Sequence, residues 1–116
     1  MITGTGVDII EIDRIKKAID RWGDTFLNHI FNEEEIAYAQ THKNSAQHFA
    51  VRFAAKEAIY KAISCDESLR WKDMTILKDT YGKPYCKFKD NKYTNTVHLS
   101  LSHCKNYAVA NAIISQ

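Results

Sequence analysis

Apolar and polar residues alternate at the start of the chain and again through most of its last third, which predicts β-strands in both places. The opening stretch "GVDIIEIDRI" at 6–15 has the pattern of a strand that leads into a helix. After residue 72, "DMTILK" and "YCKFK" flank the turn signal "DTYGKP", and "TVHLSLS" and "NYAVANAII" follow. We therefore expect one strand at the beginning and four antiparallel strands at the end.

Between these strands, apolar residues recur at helical spacing. A first helix is expected to begin at Asp13, whose side chain would cap it, and to stop or bend at Gly23. A second helix is expected over 33–41, because Asn32 can cap it and Glu35 is placed to reach back to that cap.

The segment from about 45 to 63, "SAQHFAVRFAAKEAIYKAIS", is rich in alanine and apolar on most sides of a helix. Such a helix is usually buried at the centre of a fold. The predicted order is β-ααα-ββββ: an α+β class, with an antiparallel sheet packed on a long central helix with additional helices. The length of 116 residues fits one domain over 1–116.

Composition narrows the class of protein. The net charge is only +2, so charge alone gives no reason to expect nucleic-acid binding, and the chain has no apolar run long enough for a membrane span. We also expect no signal peptide, because no basic segment precedes an apolar one. The three cysteines, Cys65, Cys86 and Cys104, form no CxxC pair and favour a reducing cytoplasm over a disulfide framework.

Glu57 does not fit its surroundings, because a helical wheel places it in a stripe of small apolar side chains near Phe53 and Ala54. Burying a free carboxylate is costly. One interpretation is an ordinary helix pair with Lys61, four residues on. The other is a metal ligand beside a lysine that binds phosphate.

Asp8 is a second misfit, since it stands in a strand on the same face as Gly4 and Gly6. Glycines there would let another backbone or a ligand approach closely. Taken alone, Asp8 is best read as a strand-end carboxylate that pairs with a lysine. Together, Asp8 and Glu57 could hold Mg²⁺, which proteins bind through one or two carboxylates plus substrate phosphates. The central helix also offers cations for such phosphates: Arg52, Lys56 and Lys61.

Three further features of the sequence each allow two interpretations. His103 ends a strand, where a hydrogen-bonded or solvent-facing role is the simpler interpretation; Ser102 would point to the opposite face, which disfavours a Ser–His dyad. "YGKP" at 81–84 is most simply a turn, although its lysine could meet an anion. The first helix also carries a basic stripe, either a solvated face or a docking surface, formed by Arg14, Lys17 and Arg21.

These motifs resemble those of the 4′-phosphopantetheinyl transferases, and in particular their small class, the holo-acyl-carrier-protein synthases. Order and spacing both agree over nearly the whole chain. The segments that carry the resemblance are "GVDIIEIDRI" at 6–15, "IFNEEE" at 30–35, "RFAAKEAIYKA" at 52–62, "YGKP" at 81–84 and "LSLSH" at 99–103. One departure is the segment 64–73, which has no glycine where many relatives have one.

The resemblance implies transfer of phosphopantetheine from coenzyme A to a serine of apo acyl carrier protein, in fatty acid biosynthesis. It implies Asp8 and Glu57 as Mg²⁺ ligands and Lys61 as the lysine beside the reacting phosphates, these three being the catalytic residues. It implies that the acidic carrier protein docks on the helix of Arg14, and that the protein is a homotrimer with active sites between subunits. The implied coenzyme A contacts are Arg52, Lys61, Gly82, Lys83, Pro84 and His103.

Two alternatives remain at this point. The same chemistry could act on carrier domains of a larger synthase. The chain could instead be a non-enzymatic module that binds an acidic protein or RNA through its basic helix, and that module would need neither Asp8 nor Glu57.

Overall fold

The computed structural model describes residues 1–64 and 68–116, and in these residues the elements follow the order β-αααα-ββββ. Cys65, and with it part of the expected glycine-free loop, lies outside the described residues. The elements are β1 (Ile2–Glu11), α1 (Ile12–Trp22), α2 (Asp24–Ile30), α3 (Glu33–Gln40), α4 (Ser45–Ala62), β2 (Met74–Lys78), β3 (Pro84–Phe88), β4 (Thr96–His103) and β5 (Tyr107–Ser115).

The strands form two antiparallel sheets. One has the order β1-β5-β4, so that the first strand is an edge strand, and the other is the β2-β3 hairpin. The register pairs Asp8 with Ala110 and His103 with Ala108. The expected α+β class and antiparallel strands are confirmed, although the strands divide between two sheets where the sequence suggested one.

The first helix differs from its prediction at its start. It begins at Ile12, with Glu11 at the cap position, so the expected cap at Asp13 is wrong. Asp13 lies in the first turn, where it suits the helix dipole and pairs with Lys17 at 2.8 Å. The predicted bend at Gly23 is confirmed, because this residue has a φ of 55° and separates α1 from α2. The described residues therefore contain one more α-helix than expected.

Helix α4 lies at the centre, as its apolar circumference predicted. Its later turns pack through small side chains against both sheets, and its first turns pack against α1, α2 and α3. No described helix is both long enough and apolar enough to cross a membrane. The buried residues of α4 are Phe49, Ala50, Val51, Arg52, Ala54, Ala55, Lys56, Ala58, Ile59 and Ala62.

Strand β1 and helix α4 meet at two glycines. A Cβ atom on Gly4 would overlap the carbonyl oxygen of Ala62, and one on Gly6 would overlap the carbonyl oxygen of Ala58. Any larger residue at either position would push the helix off the strand. The close approach expected from these glycines is therefore made by the backbone of α4.

A buried ion pair fixes α4 on its other side. Lys56 and Glu35 are fully buried and their Nζ and Oε1 atoms are 2.7 Å apart. The Lys56 ammonium also donates to the carbonyl of Ile30 at 2.7 Å. Burial lowers the pKa of Lys56 from its usual value, and the adjacent Glu35 carboxylate opposes that effect. The expectation that Lys56 binds phosphate is wrong, because its ammonium group is paired with Glu35 inside the core.

The same carboxylate ties α3 to its own start and to β2. Oε1 of Glu35 accepts from the backbone N–H of Asn32 at 2.9 Å, as the predicted capping box requires. Oε2 accepts from the backbone N–H of Ile76 at 3.0 Å. One side chain thus joins α3, α4 and β2, and each oxygen of the buried carboxylate accepts at least one hydrogen bond.

The buried pair gives a stability prediction. Replacing Lys56 with methionine should lower the free energy of unfolding by about 3–5 kcal/mol, because the Glu35 carboxylate is left without its counter-charge in the core. Urea denaturation followed by circular dichroism measures the change. Lys17→Met is the matched control, since it removes a lysine from an exposed ion pair. Equal effects of the two substitutions would contradict the structural role assigned to Lys56.

Candidate active site

Asp8, Glu57 and Lys61 lie together where β1 crosses α4. The Lys61 ammonium is 3.2 Å from Oδ1 of Asp8 and 3.2 Å from the carbonyl oxygen of Val7. Glu57 and Lys61 are one helical turn apart and share a face of α4. The convergence of the two carboxylates, which the sequence could only suggest, follows from the contact of Gly6 with Ala58.

The electrostatics of Glu57 reflect this proximity. Its pKa is raised above the usual value, first by burial and then by the negative charge of Asp8, while Lys61 opposes both effects. A cation placed between the two carboxylates would relieve their repulsion. Carboxylate oxygens are hard ligands that suit Mg²⁺, and the cation would complete its shell with water and phosphate oxygens. The donor set therefore fits the metal that the resemblance implies.

The residues expected to contact coenzyme A gather elsewhere on the chain. They line a cleft of about 190 Å³ between α4, the β2-β3 hairpin and the end of β4. Four of the six expected residues are present in its walls; Lys83 is absent from them, and Lys61 lies beside Asp8 instead. The lining residues are His48, Val51, Arg52, Lys78, Gly82, Pro84, Leu101 and His103.

The "YGKP" segment is the turn that its composition predicted. Gly82 has a φ of 80°, which favours glycine, and its N–H donates to the carbonyl of Asp79 at 3.0 Å. The N–H of Lys83 donates to Oδ1 of Asp79 at 2.9 Å. These N–H groups are used within the turn, so an anion near this loop would meet the Lys83 side chain instead of the backbone.

His103 ends β4 at the mouth of the same cleft. Its side chain is exposed, and its Nε2 lies 3.1 Å from Nε2 of Gln47 on α4. The simpler expectation of a solvent-facing, hydrogen-bonded histidine therefore describes this conformation. It does not conflict with a role in binding, since the ring stays accessible from the cleft.

A cluster of aromatic rings beside this cleft was not predicted from the sequence. His42 and His48 have ring centroids 4.1 Å apart, and Tyr38 lies 4.6 Å from the first and 5.6 Å from the second. Burial and four neighbouring basic groups lower the pKa of His48 to about 4. The i, i+4 spacing of Tyr38 and His42 along the chain is the only feature that could have indicated part of the cluster.

The basic stripe of α1 is on the protein surface. Arg14 is exposed, Lys17 pairs with Asp13, and the guanidinium of Arg21 lies 4.8 Å from the ring centroid of Trp22. The three side chains remain accessible to a partner, although two of them already have local contacts.

Comparison with known proteins identifies the family. Residues 4–112 match the model of the 4′-phosphopantetheinyl transferase superfamily. A holo-[acyl-carrier-protein] synthase of Thermodesulfovibrio yellowstonii is 41% identical over 115 residues, which cover 99% of this chain and 100% of the relative. One from Ruminiclostridium cellulolyticum is 43% identical over 120 residues, with 95% and 90% covered.

Solved structures agree in fold. A holo-(acyl-carrier-protein) synthase from Bacillus anthracis, in complex with CoA (3′,5′-ADP), has a TM-score of 0.87 at 36% identity and covers 98% of this chain and 96% of its own. The Helicobacter pylori synthase in complex with coenzyme A has a TM-score of 0.86 at 27% identity, with 96% and 99% covered. These relatives are enzymes, which removes the non-enzymatic module from consideration. The chain belongs to the 4′-phosphopantetheinyl transferase superfamily, and its relatives there are holo-[acyl-carrier-protein] synthases.

Proposed function

We propose that the protein transfers the 4′-phosphopantetheine group of coenzyme A to a serine of apo acyl carrier protein and releases adenosine 3′,5′-bisphosphate, as a step that supports fatty acid biosynthesis. The observation that carries the proposal is the convergence of Asp8, Glu57 and Lys61 in a chain of this superfamily. Two structural neighbours are described as complexes with coenzyme A or its 3′,5′-ADP part, which supports the choice of donor.

Asp8 and Glu57 are the residues that would hold Mg²⁺. When bound, the metal would act as a Lewis acid that offsets charge developing on the diphosphate. Lys61 would place a mobile positive charge beside the same phosphates and stabilise the leaving group. Its contact with Asp8 holds the ammonium ready at 3.2 Å before any substrate arrives.

The acceptor serine must lose its hydroxyl proton as it attacks the β-phosphate. Two acceptors are available: a water in the site, or Glu57 acting through a water. We place the first route ahead, because a carboxylate engaged with a cation is a weaker base. The raised pKa of Glu57 in the free site makes its carboxylate a better base only while that cation is absent.

The nucleotide part of coenzyme A would be bound by five residues on the other side of α4: Arg52, Gly82, Lys83, Pro84 and His103. Five positions separate Arg52 from Glu57, which turns their side chains about 140° apart around α4. One chain thus presents the carboxylates and the nucleotide cleft on different sides of the same helix. An assembly in which neighbouring subunits contribute one part each would unite them.

The outer face of β1 supports such an assembly. Val7 and Ile9 point away from α4 and are 57% and 64% exposed, on an edge strand. Neighbouring apolar side chains in this position are typical of an interface. We propose a homotrimer in which this face is covered and active sites lie between subunits.

The basic stripe of Arg14, Lys17 and Arg21 would receive the acidic carrier protein. Complementary charge chiefly raises the encounter rate and orients docking. We also propose that the protein works in the cytoplasm, which suits the free thiols of Cys86 and Cys104 and a coenzyme A substrate.

The transfer proposal predicts a mass change. Apo carrier protein incubated with this protein, coenzyme A and Mg²⁺ should gain one phosphopantetheine by mass spectrometry. Asp8→Ala and Glu57→Ala should each lower the rate at least about 100-fold. Each removes one ligand of the Mg²⁺ ion that would offset the negative charge of the diphosphate. Glu34→Ala removes an exposed carboxylate from α3 and serves as the control. No gain with a range of carrier proteins would reject the proposed reaction.

The docking proposal predicts a salt effect. Raising ionic strength and replacing Arg14 with alanine should each increase KM for the carrier protein several-fold, with kcat nearly constant. Steady-state kinetics at two salt concentrations measure this. Lys87→Ala, which removes an exposed lysine from β3, should leave KM as it was. A KM that responds neither to salt nor to Arg14→Ala would show that the stripe is an ordinary solvated face.

The trimer proposal predicts a molar mass. Sedimentation equilibrium should give about 40 kDa, three times the 13.3 kDa of one chain. Ile9→Glu should shift the distribution toward single chains, because it would bury carboxylates at the interface. Trp22→Glu changes a residue of similar exposure on α1 and should not. A wild-type protein that sediments as a monomer at micromolar concentration would refute the assembly.

A further inference from the structure

The ring of Tyr38 lies close to two cations. The guanidinium carbon of Arg52 is 4.4 Å from the ring centroid, and the ammonium nitrogen of Lys78 is 5.6 Å from it. Both distances are within the range in which a cation is attracted to an aromatic ring. Two like charges are therefore held near one another by a shared neutral group.

Tyr38 is itself held firmly. Its carbonyl accepts a hydrogen bond from the hydroxyl of Thr41 at 2.7 Å and lies 2.9 Å from Nδ1 of His42. The rings of His42 and His48 pack against its side chain. The tyrosine is thus fixed by contacts on α3, at the end of that helix, and on α4, which makes it a rigid support for the cations.

Arg52 reaches the cleft from inside the protein. Arg52 is only 2% exposed, and this burial lowers the pKa of its guanidinium group. One Nη atom donates a hydrogen bond to the carbonyl of His48 at 3.2 Å. Within the described part of the chain, its Nε atom is buried without a hydrogen-bond partner. A buried donor without an acceptor is unfavourable, and an anion close enough to the guanidinium to accept from it would remove that cost.

Lys78 stands at the exposed end of β2 and lines the same cleft as Arg52. No carboxylate is among the described residues that line it, although the buried Glu35 carboxylate acts on Arg52 from inside the protein. Two histidines also line the cleft, and of these His48 is uncharged at neutral pH because its pKa is about 4. The lysine and arginine charge facing the cleft therefore comes from the two residues that contact the Tyr38 ring.

We propose that Tyr38 is a positioning residue that presents Arg52 and Lys78 as a pair of cations to one phosphate group of coenzyme A, and that Lys78 is a further binding residue. A phosphate between them would accept from the guanidinium and from the ammonium, with strong charge-assisted hydrogen bonds. The aromatic ring lowers the repulsion between the cations without a carboxylate that would compete with the phosphate. The inference rests on the proposed function, in which this cleft takes the nucleotide.

Calorimetric titration with adenosine 3′,5′-bisphosphate, without Mg²⁺ or carrier protein, tests binding apart from catalysis. Lys78→Met should weaken the Kd roughly tenfold through loss of a charge-assisted contact. Tyr38→Leu should weaken it roughly three- to tenfold, and Tyr38→Phe should restore most of the loss, because phenylalanine keeps the aromatic face. Lys87→Met removes an equal charge from β3 outside the cleft and is the control.

Kinetics separate this role from a merely structural one. Lys78→Met and Tyr38→Leu should raise KM for coenzyme A with little change in kcat, and thermal unfolding should show that both variants are folded. Repeating the titration with adenosine 5′-monophosphate identifies the phosphate: if Lys78→Met then has no effect, the 3′-phosphate is the one bound by the pair, and an undiminished effect assigns the 5′-phosphate.

Several results would overturn the inference: equal Kd values for Lys78→Met and Lys87→Met, equal losses for Tyr38→Phe and Tyr38→Leu, or no binding of the bisphosphate by the wild-type protein. If Tyr38→Leu does not fold, the Lys78→Met comparison still decides, because that side chain is exposed. If the bisphosphate binds tightly through Lys78 but no phosphopantetheine is transferred to carrier protein, the proposed function is rejected. The anion site would still be supported by that result.

Discussion

The contact between the backbone of α4 and β1 at Gly4 and Gly6 is the constraint on which the candidate site depends. A side chain at either glycine would collide with a carbonyl oxygen of the helix. Only this close approach allows a strand aspartate and a helix glutamate to act on the same charge. Asp8 raises the pKa of Glu57 and also pairs with Lys61. The two glycines thus bring the acidic and basic groups of the site within reach of one another.

The opposite side of α4 is fixed by the buried pair of Glu35 and Lys56. A fully buried ion pair is not an efficient way to gain stability, since desolvation offsets much of the attraction. It is an effective way to fix orientation, because the charged groups also satisfy backbone groups of Asn32, Ile30 and Ile76. Helix α4 is therefore held at both sides, and a helix so held can present catalytic groups on one face and nucleotide-binding groups on another with little freedom to shift.

Much of this arrangement could be predicted from sequence. The spacing of apolar residues and the turn residues indicated the strands and the central helix, because those signals are local. Asp8 and Glu57 stood out as carboxylates in apolar settings, and the family motifs gave them a role. The local signals were weaker at the start of α1, where Asp13 competes with Glu11 for the cap position, whereas the bend at Gly23 was predicted.

Long-range partnerships could not be predicted in the same way. Lys56 and Lys61 stand in the same apolar helix, and only the packing shows that the first lies in the core and the second beside Asp8. The support that Tyr38 gives to Arg52 and Lys78 likewise joins α3, α4 and β2, and Tyr38 and Lys78 are 40 residues apart in the chain. Pairings of this kind are set by tertiary geometry, which periodicity in one chain does not encode.

The most direct test of the central claim is a crystal structure of the protein with coenzyme A and Mg²⁺. The account predicts a cation bound to carboxylate oxygens of both Asp8 and Glu57, with the diphosphate beside the Lys61 ammonium. A cation bound elsewhere, or a diphosphate remote from these three side chains, would contradict it.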